Sequence, residues 1–231
     1  VSRRPLAVLV HAYTASGAVL AFLAALELCA PGPDPRRVFL ALIAAVLVDA
    51  TDGPLARRWE VKRVLPAIDG RKIDDIVDYL TYTFVPLLLV WRMGWVPAPA
   101  LLWIAPALIA SLFGFANAGA KDETGGFFLG FPSYWNVVAF YAGFAYRLWG
   151  PWVNAAVLLI LAALTLLPVR FLYPNVAPRP WRAPVIAGAG AWLGLVLWLL
   201  PVYPGGPTSL VWLSLLYPAF YCWLSFRLAR T

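Results

Sequence analysis

Charge is what this sequence has least of. Asp, Glu, Lys and Arg make up 13% of its 231 residues, against roughly 25% in an ordinary soluble domain. With 62% hydrophobic residues and a mean hydropathy of +0.77, that scarcity excludes a water-soluble globule and indicates a membrane protein. Cysteine and histidine are nearly absent as well. Cys29 and Cys222 lie far apart and the only histidine is His11, so neither a disulfide framework nor a zinc site is expected, and the two thiols read as ordinary apolar residues. Acid is scarcer than base, 11 residues against 18. The resulting +7 charge raises nucleic acid as a partner, but the basic residues are not interleaved with an aromatic binding face, so none is expected.

What fills the chain is apolar sequence. A span needs about 20 mostly apolar residues, and windows near 10–29, 37–52, 74–92, 98–117, 133–149, 152–170, 183–202 and 208–227 qualify. They predict an all-α fold, a polytopic transmembrane bundle of about eight helices, or as few as six if the short windows near 37 and 133 are interfacial. The first window follows Ser2, Arg3 and Arg4 in the outline of a secretory signal, but no small-residue cleavage site closes it, and it reads as the first span. Short Pro and Gly loops, at 31–35, 174–180 and 204–207, turn the chain between helices. Nothing separates domains, and a single integral membrane domain over 1–231 is expected.

The basic residues follow topology. With a cytoplasmic amino terminus and eight alternating helices, fourteen fall inside: Arg3, Arg4, Arg57, Arg58, Lys62, Arg63, Arg71, Lys72, Lys121, Arg170, Arg179, Arg182, Arg227 and Arg230. Arg36, Arg37, Arg92 and Arg147 fall outside, which is the bias that orients membrane proteins.

Seven of the eleven acids are concentrated between Asp49 and Asp78. Asp49 and Asp52 close the second window; Asp74, Asp75 and Asp78 open the third. Helical spacing puts Asp49 with Asp52, and Asp74 with Asp78, while Asp75 turns about 100° away. Carboxylates gathered at one membrane face repel one another and have to take up protons or cations. Oxygen donors alone favour Mg²⁺ or Mn²⁺, with Ca²⁺ as a further choice. Two such ions clamp a pyrophosphate and stabilise entering and leaving oxygens in an in-line displacement. Gly53, Ala56 and Gly70 leave little side chain where a nucleotide approaches, and Arg57 offers a planar fork for phosphate. Taken singly each Asp is an ordinary cap or loop residue; the paired spacing is what argues for chemistry.

At these residues the chain resembles the CDP-alcohol phosphatidyltransferases, whose signature D-x2-D-G-x2-A-R, a spacer, then G-x3-D-x3-D reads here as DATDGPLAR at 49–57 and GRKIDDIVD at 70–78. Every fixed position matches. The spacer between Arg57 and Gly70 is twelve residues, longer than in most of the family and similar to the bacterial phosphatidylcholine synthase branch, which HAYTASG at 11–17, VDYLTYTFVP at 77–86 and GFPSYWNVVAFY at 130–141 also resemble. The resemblance implies that Asp49, Asp52, Asp74 and Asp78 hold two Mn²⁺ or Mg²⁺ ions, that Gly53, Ala56, Arg57 and Gly70 shape the CDP site, and that Asp78 is the catalytic base. It implies CDP-diacylglycerol and choline as substrates, CMP as product, a homodimer among membrane lipids, and a bacterial inner membrane location with the site facing the cytoplasm. Choline's trimethylammonium attracts aromatic faces. Tyr82, one turn beyond Asp78, and Tyr134 and Trp135 are candidate walls, with Asn136 to orient the hydroxyl. Two other readings stand beside this one: the same reaction with glycerol phosphate, inositol phosphate or serine, and a cation transporter.

Overall fold

The computed structural model describes residues 3–117, 119–122, 125–174 and 177–230; Ser2, beside the first window, and Asn175 and Val176, in the 174–180 loop, lie outside them. All eight apolar windows are helical. They form α1 (Arg4–Cys29), α2 (Pro35–Arg58), the continuous run of α4 (Gly70–Asp78), a π-helical turn (Tyr79–Phe84) and α5 (Val85–Arg92), then α6 (Leu101–Ala116), α7 (Trp135–Trp149), α8 (Pro151–Leu166), α9 (Arg179–Leu199) and α10 (Thr208–Leu228). A one-turn helix, α3 (Val61–Val64), lies in the long spacer. Among the described residues, α1, α2, α9 with its closing 3₁₀ turn, and α10 are long and apolar enough to cross a membrane, at 21 to 26 residues; α6 and α8 are apolar but shorter, at 16 residues each. The protein is an all-α polytopic membrane protein. Large apolar side chains such as Phe22, Leu23 and Leu26 on α1 and Leu101, Leu102 and Phe113 on α6 are exposed, which is costly in water and suits a lipid surround.

One addition to the helices was not legible: a small antiparallel sheet of β1 (Lys121–Asp122), β2 (Phe127–Leu129) and β3 (Arg170–Leu172) in the order β1-β2-β3. Strands of two and three residues carry no readable alternation. Gly130 follows β2 at φ +87°, where a Cβ would stand 2.2 Å from the Thr165 carbonyl oxygen.

The chain divides into two compact units, one of residues 1–93 with 135–140, the other of 94–134 with 141–231. In the first, α1 and α2 form an antiparallel pair. Asp34 caps α2 by accepting from the Arg36 N–H at 2.9 Å, and its carboxylate also binds the Arg36 guanidinium at 2.8 Å. Arg37 lies 3.4 Å from Glu27, and Arg92, ending α5, donates to the carbonyls of Leu28 and Ala30 at 2.9 and 3.0 Å. That end of the unit holds three of the four cations expected outside. At the opposite end Arg3 and Arg63 pair with Glu60, among the exposed Arg57, Arg58, Lys62, Arg71 and Lys72. A small core of Ala7, Val10, Val61 and Leu65 closes beneath, with Leu55, Ala56, Trp59 and Val64 against it. The first residues of α7 complete this unit, Phe140 meeting Phe39 edge to face at 5.4 Å.

In the second unit the buried Asn154 donates to the carbonyls of Trp95 and Ala142 at 2.8 and 3.0 Å. Arg147 donates to the Pro204 carbonyl, and Arg227 lies over the rings of Trp181 and Trp223. Cys29 is exposed, Cys222 is half-buried, and both are free thiols.

Candidate metal and nucleotide site

Three helices of the first unit meet at its basic end. Asp69 caps α4, accepting from the N–H groups of Arg71 and Lys72 at 3.1 and 3.4 Å, which starts the helix just before Gly70. From that start Asp74 and Asp78, four residues and about 40° apart round the helix, share a face. Gly17 of α1 lets α4 come close: a Cβ there would sit 2.5 Å from Val77 Cγ1.

Across from that face stands Asp49 of α2. One carboxylate oxygen from each of Asp49, Asp74 and Asp78 lies within 4.8 Å of the other two, and all three residues are half-buried. A hard cation with oxygen ligands at about 2.1 Å holds them about 3.0 Å apart when adjacent and about 4.2 Å when opposite, so small rotamer changes suffice to close the group on an ion. Left bare, each pair of charges at that spacing repels by about 3.5 kcal/mol or more at an effective dielectric of 20. The donor set is all oxygen and suits Mg²⁺ or Mn²⁺.

Asp52 is buried but stands outside this group of three. Three residues turn a helix by 300°, leaving Asp52 about 60° round from Asp49. Asp75 is also outside the group, as its 100° offset predicts.

The residues expected to shape the nucleotide site separate into two kinds. A Cβ on Gly53 would meet nothing closer than the flexible tip of Arg57, at 3.4 Å, so the bare surface there serves no contact within the protein. Arg57 is exposed. Ala56, by contrast, packs against the small core, and a Cβ on Gly70 would stand 2.8 Å from His11 Cε1. Their smallness is already required by packing. His11, the only histidine, thus lies over the start of α4 with its Nε2 buried and without a hydrogen-bond partner. In the sequence it opens the HAYTASG stretch at 11–17.

Tyr82 reaches across from its own helix to Asp49. Its hydroxyl donates to Asp49 Oδ2 at 2.7 Å, so its polar tip belongs to the carboxylate group. Nearby, Tyr13 and Thr51 join α1 to α2 through their hydroxyls at 2.8 Å. Thr51 donates to the Leu47 carbonyl, which leaves Tyr13 as donor to Thr51. Of the other aromatic candidates, Trp135 is wholly buried in the first unit, and Asn136 there accepts from the Val137 N–H at 2.8 Å. Tyr134 belongs to the second unit and packs against Phe131 and Tyr221 at 6.4 and 6.3 Å.

No family model matches the chain. Curated relatives do. It is 47% identical over 168 residues to a phosphatidylcholine synthase of Pseudomonas aeruginosa, covering 71% of this chain and 68% of that protein. A phosphatidylcholine synthase of Legionella pneumophila matches at 34% over 226 residues, 94% of this chain and 86% of the relative. One of Mesorhizobium japonicum matches at 37% over 168 residues; there the alignment spans 71% of this chain and 60% of the relative's length.

Proposed function

The chain belongs to the phosphatidylcholine synthase family, and from that premise we propose that it transfers the phosphatidyl group of CDP-diacylglycerol to choline, with release of CMP. The observation that carries this reading is the convergence of Asp49 from α2 with Asp74 and Asp78 from α4. With Asp52 on the same helix end, these carboxylates would hold two divalent ions, Mn²⁺ or Mg²⁺, which when bound supply charge stabilisation to a pyrophosphate undergoing displacement.

The chain's own residues account for the rest. The open surface at Gly53, beside the exposed Arg57 guanidinium, receives the cytidine phosphates, and Ala56 and Gly70 keep α1, α2 and α4 close enough to form that surface. Asp78 takes the proton of the attacking hydroxyl, a contribution of roughly 10²- to 10⁴-fold for a positioned base. Choline's ammonium rests on the ring of Tyr82, whose half-buried side chain is already anchored beside Asp49. The diacylglycerol chains stay in the bilayer. The basic end of the first unit faces the cytoplasm, where CDP-lipid heads and choline are drawn from water, and the whole of 1–231 acts as one catalytic domain, as a homodimer in the inner membrane.

A transporter would place its carboxylates near the midplane of several spans. Here they lie within about three turns of the basic ends of α2 and α4, which carry the exposed Arg57, Arg58, Arg71 and Lys72. The experiment is an acceptor panel: purified protein with CDP-diacylglycerol and Mn²⁺ is given choline, serine, inositol phosphate or glycerol phosphate, and CMP release is followed. Choline alone should support turnover. Release with an anionic acceptor and none with choline would overturn the assignment.

A further inference from the structure

Asp49 approaches the other carboxylates from a different helix, and nothing in helical spacing fixes its rotamer. Repulsion from Asp74 and Asp78 drives it away from the group whenever cations are missing. Against that push acts the Tyr82 hydroxyl on Asp49 Oδ2 at 2.7 Å, a charge-assisted bond of ordinary length.

The backbone that delivers Tyr82 is unusual. Asp78 ends the α-helical turns, and residues 79–84 wind as a π-helix, the Val85 N–H reaching the Leu80 carbonyl five residues back. The Thr81 hydroxyl donates to the Val77 carbonyl at 2.9 Å. A turn closed by i→i+5 bonds holds more residues than an α turn and so re-aims the side chains that follow it; such turns concentrate at functional sites. Here the widened turn lies directly after Asp78, and its fourth residue is the one that touches Asp49.

We propose that Tyr82 is a positioning residue: through its hydroxyl it holds the Asp49 carboxylate against Asp74 and Asp78, so that the first unit presents a preformed cation site. This rests on the metal-site reading above and adds a separate role for the hydroxyl, distinct from that of the ring. Partners that orient metal-bound carboxylates typically contribute about 10- to 100-fold in metal affinity.

The ring and the hydroxyl are separable by substitution. Tyr82→Phe keeps the ring and its packing and removes only the bond to Asp49, whereas Tyr82→Leu removes both. Binding of Mn²⁺ to the purified full chain is measured by loss of the free-ion EPR signal, without substrates, for the wild type, both Tyr82 variants and Asp49→Asn. The expected result is a Kd for Mn²⁺ raised about 10- to 100-fold in Tyr82→Phe, with the lost turnover recovered by excess metal. Irreversible loss of the fold would instead lower the number of Mn²⁺ sites per chain without raising their Kd. If Asp49→Asn loses Mn²⁺ binding while Tyr82→Phe stays within twofold of wild type, the positioning role is overturned and the metal site stands. If Asp49→Asn binds Mn²⁺ like the wild type, the metal site itself is wrong and the positioning role falls with it.

Discussion

The carboxylates divide by angle round their helices, and their substitutions should divide the same way. Asp49→Ala, Asp52→Ala and Asp74→Ala are expected to abolish CMP release while leaving the fold intact, and Asp75→Ala to be mild because its side chain is turned off the shared face. Equal losses at Asp74 and Asp75 would overturn the assignment. Asp78→Asn keeps the shape but cannot accept a proton, so it should retain CDP-diacylglycerol binding and lose transfer. The two glycines test a different point. At Gly53 an added methyl meets only the tip of Arg57, so Gly53→Ala should fold normally and raise the KM for CDP-diacylglycerol by about tenfold or more, roughly 1.4 kcal/mol. At Gly70 the methyl meets the His11 ring, and Gly70→Ala should destabilise the fold by an overpacking cost of about 1–3 kcal/mol, seen as a lower Tm. Thermal unfolding and substrate titration, run on both variants, separate a surface kept bare for a ligand from one kept bare for a neighbour.

Helices were legible in the sequence because each carries a long apolar run, and their ends were less so because charge hides them. The second apolar window stops at Asp52, yet α2 continues through Pro54 to Arg58. The third began at Asp74, yet the helix begins at Gly70 under the Asp69 cap. The π-helical turn has no signature in composition. The Tyr82–Asp49 bond joins residues 33 apart in sequence, which spacing rules cannot pair; they bring together Asp74 and Asp78 and leave Asp49 to tertiary packing. That packing depends on α1 and α4 lying close at Gly17. Gly17→Ala, whose Cβ would sit 2.5 Å from Val77 Cγ1, should therefore push α4 outward and weaken Mn²⁺ binding as well as stability, a pair of losses that EPR and thermal unfolding read together. At the other end of α2 the cap is sensitive to acid. Hydrogen bonding from Arg36 holds Asp34 below its ordinary value of 3.8, so its contribution is complete above that pH and lost as pH falls below it. Asp34→Asn keeps the capping oxygen without the charge, and the Tm difference between it and the wild type should shrink to nothing on acidification through that range.

At the scale of the molecule, a cation bound between α2 and α4 would bind the folded state alone and so raise its stability. Mn²⁺ at a hundred times its Kd should add about 2.7 kcal/mol, seen as a rise in Tm that EDTA reverses together with activity; full activity in EDTA would exclude the metal mechanism. The division of the chain has a further consequence, for the order in which the protein is made. The first unit is not one stretch of sequence: it runs to Met93 and is completed only by Trp135–Phe140, which bring the wholly buried Trp135 and the ring that meets Phe39. At about 5–20 residues per second of synthesis, the ribosome leaves α1 to α5 waiting several seconds for their last core residues. During that interval Asp49, Asp74 and Asp78 are already made, while the core that Trp135 and Phe140 complete is still open.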